Sequence, residues 1–249
     1  MSIFSNIFRK PRLGEPVDLG LLGCDVHSHF IPGIDDGAKT MKDSIELLKA
    51  IEDLGYKKVI TTPHVMSDFF RNTSAIITTG LEQVRNAAKA EGIELEIDAA
   101  AEYYFDYDLE GKIKNERLLT FGLDYLLFEV SYMNAPDNLD EFIFQLQTSG
   151  YKPVIAHPER YPFWFTKGLE HFEKLKDKGV FFQLNINALT GHYSPATKKV
   201  AEQLIDKGWY EFIGSDCHHL GHIDLMKKAR TEKYLEKLIS SGKLLNNTL

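Results

Sequence analysis

The chain has 249 residues, of which 43% are hydrophobic and 26% charged, an ordinary globular composition with enough length for a sizeable core. A formal charge of −7 speaks against a nucleic-acid surface, which needs concentrated basic residues. Two cysteines, Cys24 and Cys217, are too few for a disulfide framework and point to a reducing, cytoplasmic setting; no apolar run nears the ~20 residues of a membrane span.

Residues 1–16 stand apart as an N-terminal extension. Phe4, Ile7 and Phe8 alternate with Arg9, Lys10 and Arg12 in a stretch too short for a signal-peptide core. The expectation is a loose terminus, with weak membrane or partner contact through residues 1–12 as its functional alternative. Residues 17–249 read as one domain.

The first apolar run ends in Cys24-Asp25-Val26-His27-Ser28-His29, where strand alternation puts Asp25, His27 and His29 on one face. Thr40 as N-cap and Asp43 in the first turn open a helix striped by Ile45, Leu48 and Ile51, and Gly55 ends it. Lys58–Thr62 is a β-branched strand stopped by Pro63, just before His64. A helix over Thr73–Ala90 closes at Gly92, and a third strand, Ile93–Ala101, leads to Glu102. Residues 103–122 form a polar connection with room for a short helix. Tyr125–Val130, Pro153–Ala156, Val180–Ile186 and Tyr210–Gly214 are the remaining strands. Helices over Asp137–Thr148, Leu169–Lys178, Pro195–Lys207 and Ile223–Ser240 follow them in turn.

Seven such alternations predict parallel strands joined by crossover helices, as an open doubly wound sheet or a barrel. The polar residues decide between them. His27, His64, Glu102, His157 and Asp216 all fall at or just past the C-terminal ends of different strands. A closed barrel brings so many strand ends to one centre; an open sheet uses the few loops at its switch point. The expected architecture is a distorted (β/α)7 TIM-like barrel.

Of nine histidines, His27, His29, His64, His157 and His218 occupy these strand-end positions, joined by Asp36, Glu102 and Asp216. Imidazole and carboxylate without thiolate suit manganese, iron or zinc, and the donor count calls for two or three ions with Glu102 as a bridge. Such clusters acidify water and neutralise the oxygens of an in-line displacement, which points to phosphate-ester hydrolysis. His171, His192, His219 and His222 are read as non-ligands. Arg160, three residues past His157, is the foremost phosphate holder, with Arg71 on the loop after His64 as a weaker one. Phe69, Phe70, Tyr103, Tyr104, Tyr132, Tyr161, Phe163 and Trp164 crowd the same loops and form either a lip for an aromatic ring or part of the packing. A cysteine phosphatase would need C-x5-R, but Phe30 and Ile223 stand six residues after the two cysteines.

The stretches Asp25-Val26-His27-Ser28-His29, Ile34-Asp35-Asp36-Gly37, Thr62-Pro63-His64, Ala101-Glu102-Tyr103-Tyr104, Ala156-His157-Pro158-Glu159-Arg160-Tyr161 and Gly214-Ser215-Asp216-Cys217-His218 resemble the polymerase-and-histidinol-phosphatase (PHP) superfamily. Within it the chain looks most like the bacterial tyrosine-protein phosphatases of capsule and exopolysaccharide synthesis. The resemblance implies a distorted seven-stranded barrel with His27, His29, Asp36, His64, Glu102, His157, Asp216 and His218 as ligands, and manganese as the ion. It also implies that Arg160 contacts the phosphate; Tyr103, among the loop aromatics, is a further candidate substrate contact. The substrate would be a phosphotyrosine-bearing protein, such as the tail of a membrane-associated tyrosine kinase. A small-molecule phosphatase, such as one acting on histidinol phosphate, and a non-catalytic kinase-binding regulator are the alternatives. One departure stands out: after His218 the family often carries a basic, proline-containing segment with a second arginine, whereas this chain reads His219-Leu220-Gly221-His222-Ile223-Asp224.

Overall fold

The computed structural model describes residues 15–249; the first part of the extension, with its expected membrane contact, lies outside the described residues. The chain enters through a 3-10 turn at Leu19–Leu22 into β1 (Cys24–Asp25). Helix α1 (Met41–Asp53) starts in a full capping box: the Thr40 side chain accepts the Asp43 N–H, and Asp43 accepts the Thr40 N–H. Then follow β2 (Lys58–Thr61), β3 (His64–Val65), α2 (Ser74–Ala90), β4 (Glu96–Ala99), β5 (Glu102–Tyr104) and α3 (Tyr107–Asn115). The second half is more regular: β6 (Tyr125–Glu129), α4 (Leu139–Thr148), β7 (Lys152–Ala156), α5 (Glu170–Asp177), β8 (Phe181–Asn185), α6 (Pro195–Lys207) and β9 (Phe212–Gly214). Helices α7 (Leu220–Ala229) and α8 (Lys233–Ile239) complete the described elements.

The strands form two parallel sheets, β1-β2-β4 and β3-β5-β6-β7-β8-β9. The count differs from the expected seven because two strands are each broken in two. Pro63 has no N–H for the ladder, so the second strand stops at Thr61 and resumes at His64. The third breaks beside it at Ala100-Ala101, and the chain crosses from one sheet to the other with Ala100 N–H on Thr61 O (2.9 Å) and Glu102 N–H on Pro63 O (3.1 Å). The last helix is also divided, where Arg230 turns to bond Val17 O through its Nε (2.8 Å).

A large apolar cluster lies between strands and helices, and a smaller one draws Cys24, Val26, Ile60, Leu127, Val154 and Phe212 from five strands and the segment after β1. Across the sheets' free edges, Asp216 N–H bonds His27 O (2.7 Å), His29 N–H bonds Cys217 O (3.1 Å), and Ser28 pairs with Cys217 as a parallel bridge. No helix among the described residues is long and apolar enough to cross a membrane.

Candidate metal centre

All eight expected ligand positions converge beyond the C-terminal ends of β1, β2, β4, β7 and β9. His27, His29, Glu102 and Asp216 form one group, His29, Asp36, His64 and His218 a second, and His64, Glu102 and Glu129 a third, with donor atoms in each within 4.8 Å of one another. His157 joins through Nε2, 3.0 Å from Glu102 Oε1. Glu102 is fully buried at the centre, its Oε2 3.1 Å from both His27 Nε2 and His64 Nδ1 and 3.6 Å from His29 Nε2. Yet that oxygen has no aligned hydrogen-bond donor. Two donors that each sit about 2.1 Å from one cation stand roughly 3.0–3.4 Å apart, the spacing found here. An orphaned buried carboxylate oxygen among imidazole nitrogens at cation-sharing distances fits bound metal. The cysteines take no part: both are buried, and neither lies in these groups.

The imidazoles are oriented from behind. Gln183 Oε1 lies 2.8 Å from His27 Nδ1, and Asp35 Oδ2 lies 2.8 Å from His29 Nδ1. A proton held on each Nδ1 would keep both Nε2 atoms, which face Glu102 and Asp216, available to a cation. Asp25 shares the motif but faces the sheet edge, accepting the N–H (2.8 Å) and Oγ–H (2.6 Å) of Ser215. Burial raises it to about 6 despite these bonds. Two glycines allow the close approaches. A Cβ on Gly37 would lie 2.2 Å from His29 O, and one on Gly214 would lie 2.5 Å from His27 Cβ. His157 (φ 36°) and Asp216 (φ 48°) both adopt left-handed backbone at strand ends, at about 1–2 kcal/mol each.

Burial alone would lower His27, but Glu102 and Asp216 raise it to about 9; His64 rises against burial to about 10, through Glu102 and Glu129. His218 likewise rises to about 9 beside Asp36, and its hydrogen bond holds Asp36 down at about 2. In return the imidazoles keep Glu102 and Asp216 well below the usual carboxylate range, although burial opposes this. Burial and the Arg160 charge hold His157 at about 4, a neutral ring at pH 7.

The centre opens into a cavity of about 330 Å³ walled by His64, Glu129, Tyr132, Arg160, Tyr193 and His222, among others. Arg160 projects into it and donates to Asp216 Oδ2 (2.7 Å), not to its neighbour Glu159. Glu159 is buried, accepts from Asn185 N–H and the Tyr210 hydroxyl, and is raised by burial to about 7. Two expected substrate contacts lie away from the cavity wall. Arg71 is outside the cavity wall, its Nε bonded to Ser67 O (2.7 Å). Tyr103 is 3% exposed and its hydroxyl accepts the Leu119 N–H, because strand alternation turns it away from Glu102. Of the aromatic lip, Tyr161 and Trp164 are buried, Phe70 stacks on His64, and Phe69 (75% exposed) and Tyr132 (37%) remain at the surface. His219 and His222 line the cavity; His222 Nδ1 accepts the His218 N–H (3.2 Å).

Glu129, Gln183 and Asn185 were missed from sequence. Glu129 carried one usable signal: it is a carboxylate closing an apolar parallel strand.

Parallel strand ends converging on a histidine–carboxylate cluster define an α/β protein with a polynuclear candidate metal centre. A family model described as capsular polysaccharide synthesis, CpsB/CapC, matches residues 23–242, and the chain belongs to that family. It is 28% identical over 231 residues to CapC of Staphylococcus aureus, across 89% of this chain and 90% of that one. It is also 28% identical over 197 residues to tyrosine-protein phosphatase YwqE of Bacillus subtilis, across 79% and 77%. A crystal structure from work on YwqE and on CpsB of Streptococcus pneumoniae, described as unique metal-dependent tyrosine phosphatases, matches with TM-score 0.78 at 27% identity, covering 86% of both chains.

Proposed function

We propose that the protein is a metal-dependent protein-tyrosine phosphatase acting in capsular or exopolysaccharide synthesis. The observation that carries this reading is the buried, orphaned Glu102 carboxylate shared by two of the three donor groups, with Arg160 in the wall of the adjoining cavity. Its named relatives YwqE and CpsB are tyrosine-protein phosphatases.

His27, His29, Asp36, His64, Glu102, His157, Asp216 and His218, with Glu129 added, would hold two or three ions; nitrogen and oxygen donors without sulfur favour manganese over softer metals. Bound ions would supply an acidified water and neutralise phosphate oxygens. Arg160 holds the phosphoryl group through its in-plane N–H fork. Gln183 and Asp35 fix the tautomers of His27 and His29. A tyrosinate leaving group, with a parent pKa near ~10, places a light demand on a general acid.

The finer reading of the fold is a single distorted barrel of seven β/α units over residues 17–249. Its support is the interior cluster and the hydrogen bonds joining β1's extension to Asp216-Cys217. The exposed rim side chains Phe69, Tyr132 and Met133 suit a protein tail, such as that of a membrane-associated tyrosine kinase, and two buried free thiols suit the cytoplasm.

The test is hydrolysis of a phosphotyrosine peptide by metal-stripped and manganese-reloaded protein, with histidinol phosphate in parallel and Arg160→Ala beside the native chain. Manganese-dependent release from the peptide, weakened in the variant, is expected. Turnover of histidinol phosphate alone would move the protein to small-molecule phosphatases. No turnover with any metal would sink the enzymatic reading.

A further inference from the structure

Arg160 does not project freely into the cavity. Its guanidinium carbon lies 4.9 Å from the Tyr132 ring centroid and 4.2 Å from that of Tyr193. The two rings come from different strand-end segments, Tyr132 after β6 and Tyr193 from the connection between β8 and α6. Each ring is itself held. Tyr132 stacks near the His157 ring (5.9 Å, 22°) and packs on Tyr161 (5.3 Å). The Tyr193 hydroxyl accepts from Asn185 Nδ2 (2.7 Å), and the same buried amide reaches Asp216 Oδ2 (2.9 Å).

A guanidinium packed over ring faces keeps its in-plane N–H groups for hydrogen bonding, and one of them already goes to Asp216. Arginine loses much rotamer freedom when it is ordered, so ordering it before substrate arrives removes that loss from the binding step. We infer that Tyr132 and Tyr193 are positioning residues, an aromatic clamp that presents the edge of Arg160 to the phosphoryl group. The inference rests on the reading of Arg160 as the phosphate contact.

The test uses the full manganese-loaded chain and its Tyr132→Leu, Tyr193→Leu, Tyr132→Phe, Tyr193→Phe and Arg160→Ala variants. KM and kcat for a phosphotyrosine peptide, and inhibition by inorganic phosphate, are measured at verified metal content. Each leucine variant is expected to raise KM and the phosphate inhibition constant about five- to tenfold while kcat changes less. Each phenylalanine variant keeps the ring and stays within about threefold of the native chain. In an Arg160→Ala background the leucine substitutions add nothing.

Leucine variants with native KM and phosphate inhibition, beside a weakened Arg160→Ala, overturn the clamp and leave the phosphate contact standing. Equal losses with and without Arg160 show that the rings meet substrate directly, which also overturns it. A fall in metal content that tracks the loss does the same, by placing the effect on His157 or Asp216. Arg160→Ala with native phosphate inhibition instead removes the reading beneath. Tyr132 is 37% exposed, so its variants carry the test if Tyr193→Leu does not fold.

Discussion

The two ends of the strands gather buried polar side chains in opposite ways. At the N-terminal ends of β1 and β9, residues 245–249 close the floor around Asn246, which is fully buried. Its amide donates to Cys24 O (2.9 Å) and Ile213 O (2.7 Å), and its carbonyl accepts the Ile213 N–H (3.0 Å). Leu245 and Leu249 pack on the interior apolar cluster beside it. At the rim, Glu102 is equally buried but keeps an orphaned oxygen, and His157 and Asp216 hold left-handed backbone. Floor groups are satisfied by the chain itself and serve folding. Rim groups are arranged at a standing cost that a bound cation would offset.

The largest effect that would break this contrast is at the rim. Loss of an orienting partner alone costs about 10–100-fold in metal affinity or activity, so removing the central candidate ligand is expected to cost more. Glu102→Gln is expected to lower phosphatase activity by at least about a hundredfold and to reduce bound metal per chain, read by turnover and elemental analysis. A native metal count would show that the rim is not built around a cation.

Asn246→Ala should do the reverse. It leaves Cys24 O, Ile213 O and Ile213 N–H unpaired in a buried site, at about 3 kcal/mol in total. For a chain of this size that is a fall in melting temperature of about 6–12 °C. Activity per folded, metal-loaded molecule should stay native. A change in kcat at native metal content would mean that floor and rim are coupled.

The same contrast explains what could be read from the sequence. The candidate ligands announced themselves because histidines and acids at strand ends are conspicuous, and Thr40 with Asp43 announced a helix start that forms as a capping box. Glu129 stands inside the apolar run Tyr125–Val130 and shows only as a carboxylate near its end; Gln183 and Asn185 lie inside another, where only the three-dimensional partner reveals the function. Asn246 bonds residues 33 and 222 positions away, which no local pattern encodes. Pro63 was read correctly as a strand stop, but the strand resumes at His64 because the chain passes into a second sheet. Tyr103 lies in the core for a local reason: its neighbour Glu102 faces the centre, and period-two alternation turns Tyr103 the other way.

A smaller effect sharpens the contrast within the rim. Gln183 touches no candidate cation position directly, holding His27 Nδ1 at 2.8 Å and His157 N–H at 3.4 Å. Gln183→Leu should weaken metal binding by about 10–100-fold without abolishing activity in excess manganese. Titration of metal-stripped protein with manganese measures it. An unchanged affinity would show that the tautomer of His27 does not depend on this amide.

The mildest expectation concerns pH. In the metal-free chain His27, His64 and His218 are raised to about 9, 10 and 9 by facing carboxylates, which outweigh burial. A raised imidazole holds its proton at pH 7, and a cation must displace that proton to reach the nitrogen. Metal uptake should therefore release protons, and affinity should climb as pH rises from 6 towards 9, by up to about tenfold per pH unit for each proton displaced. Calorimetric titration in buffers of different ionisation enthalpy counts these protons. At least one per cation at pH 7 is expected. None at all would mean that the facing carboxylates do not hold protons on the rim imidazoles, and the charge arrangement described for the rim would have to be redrawn.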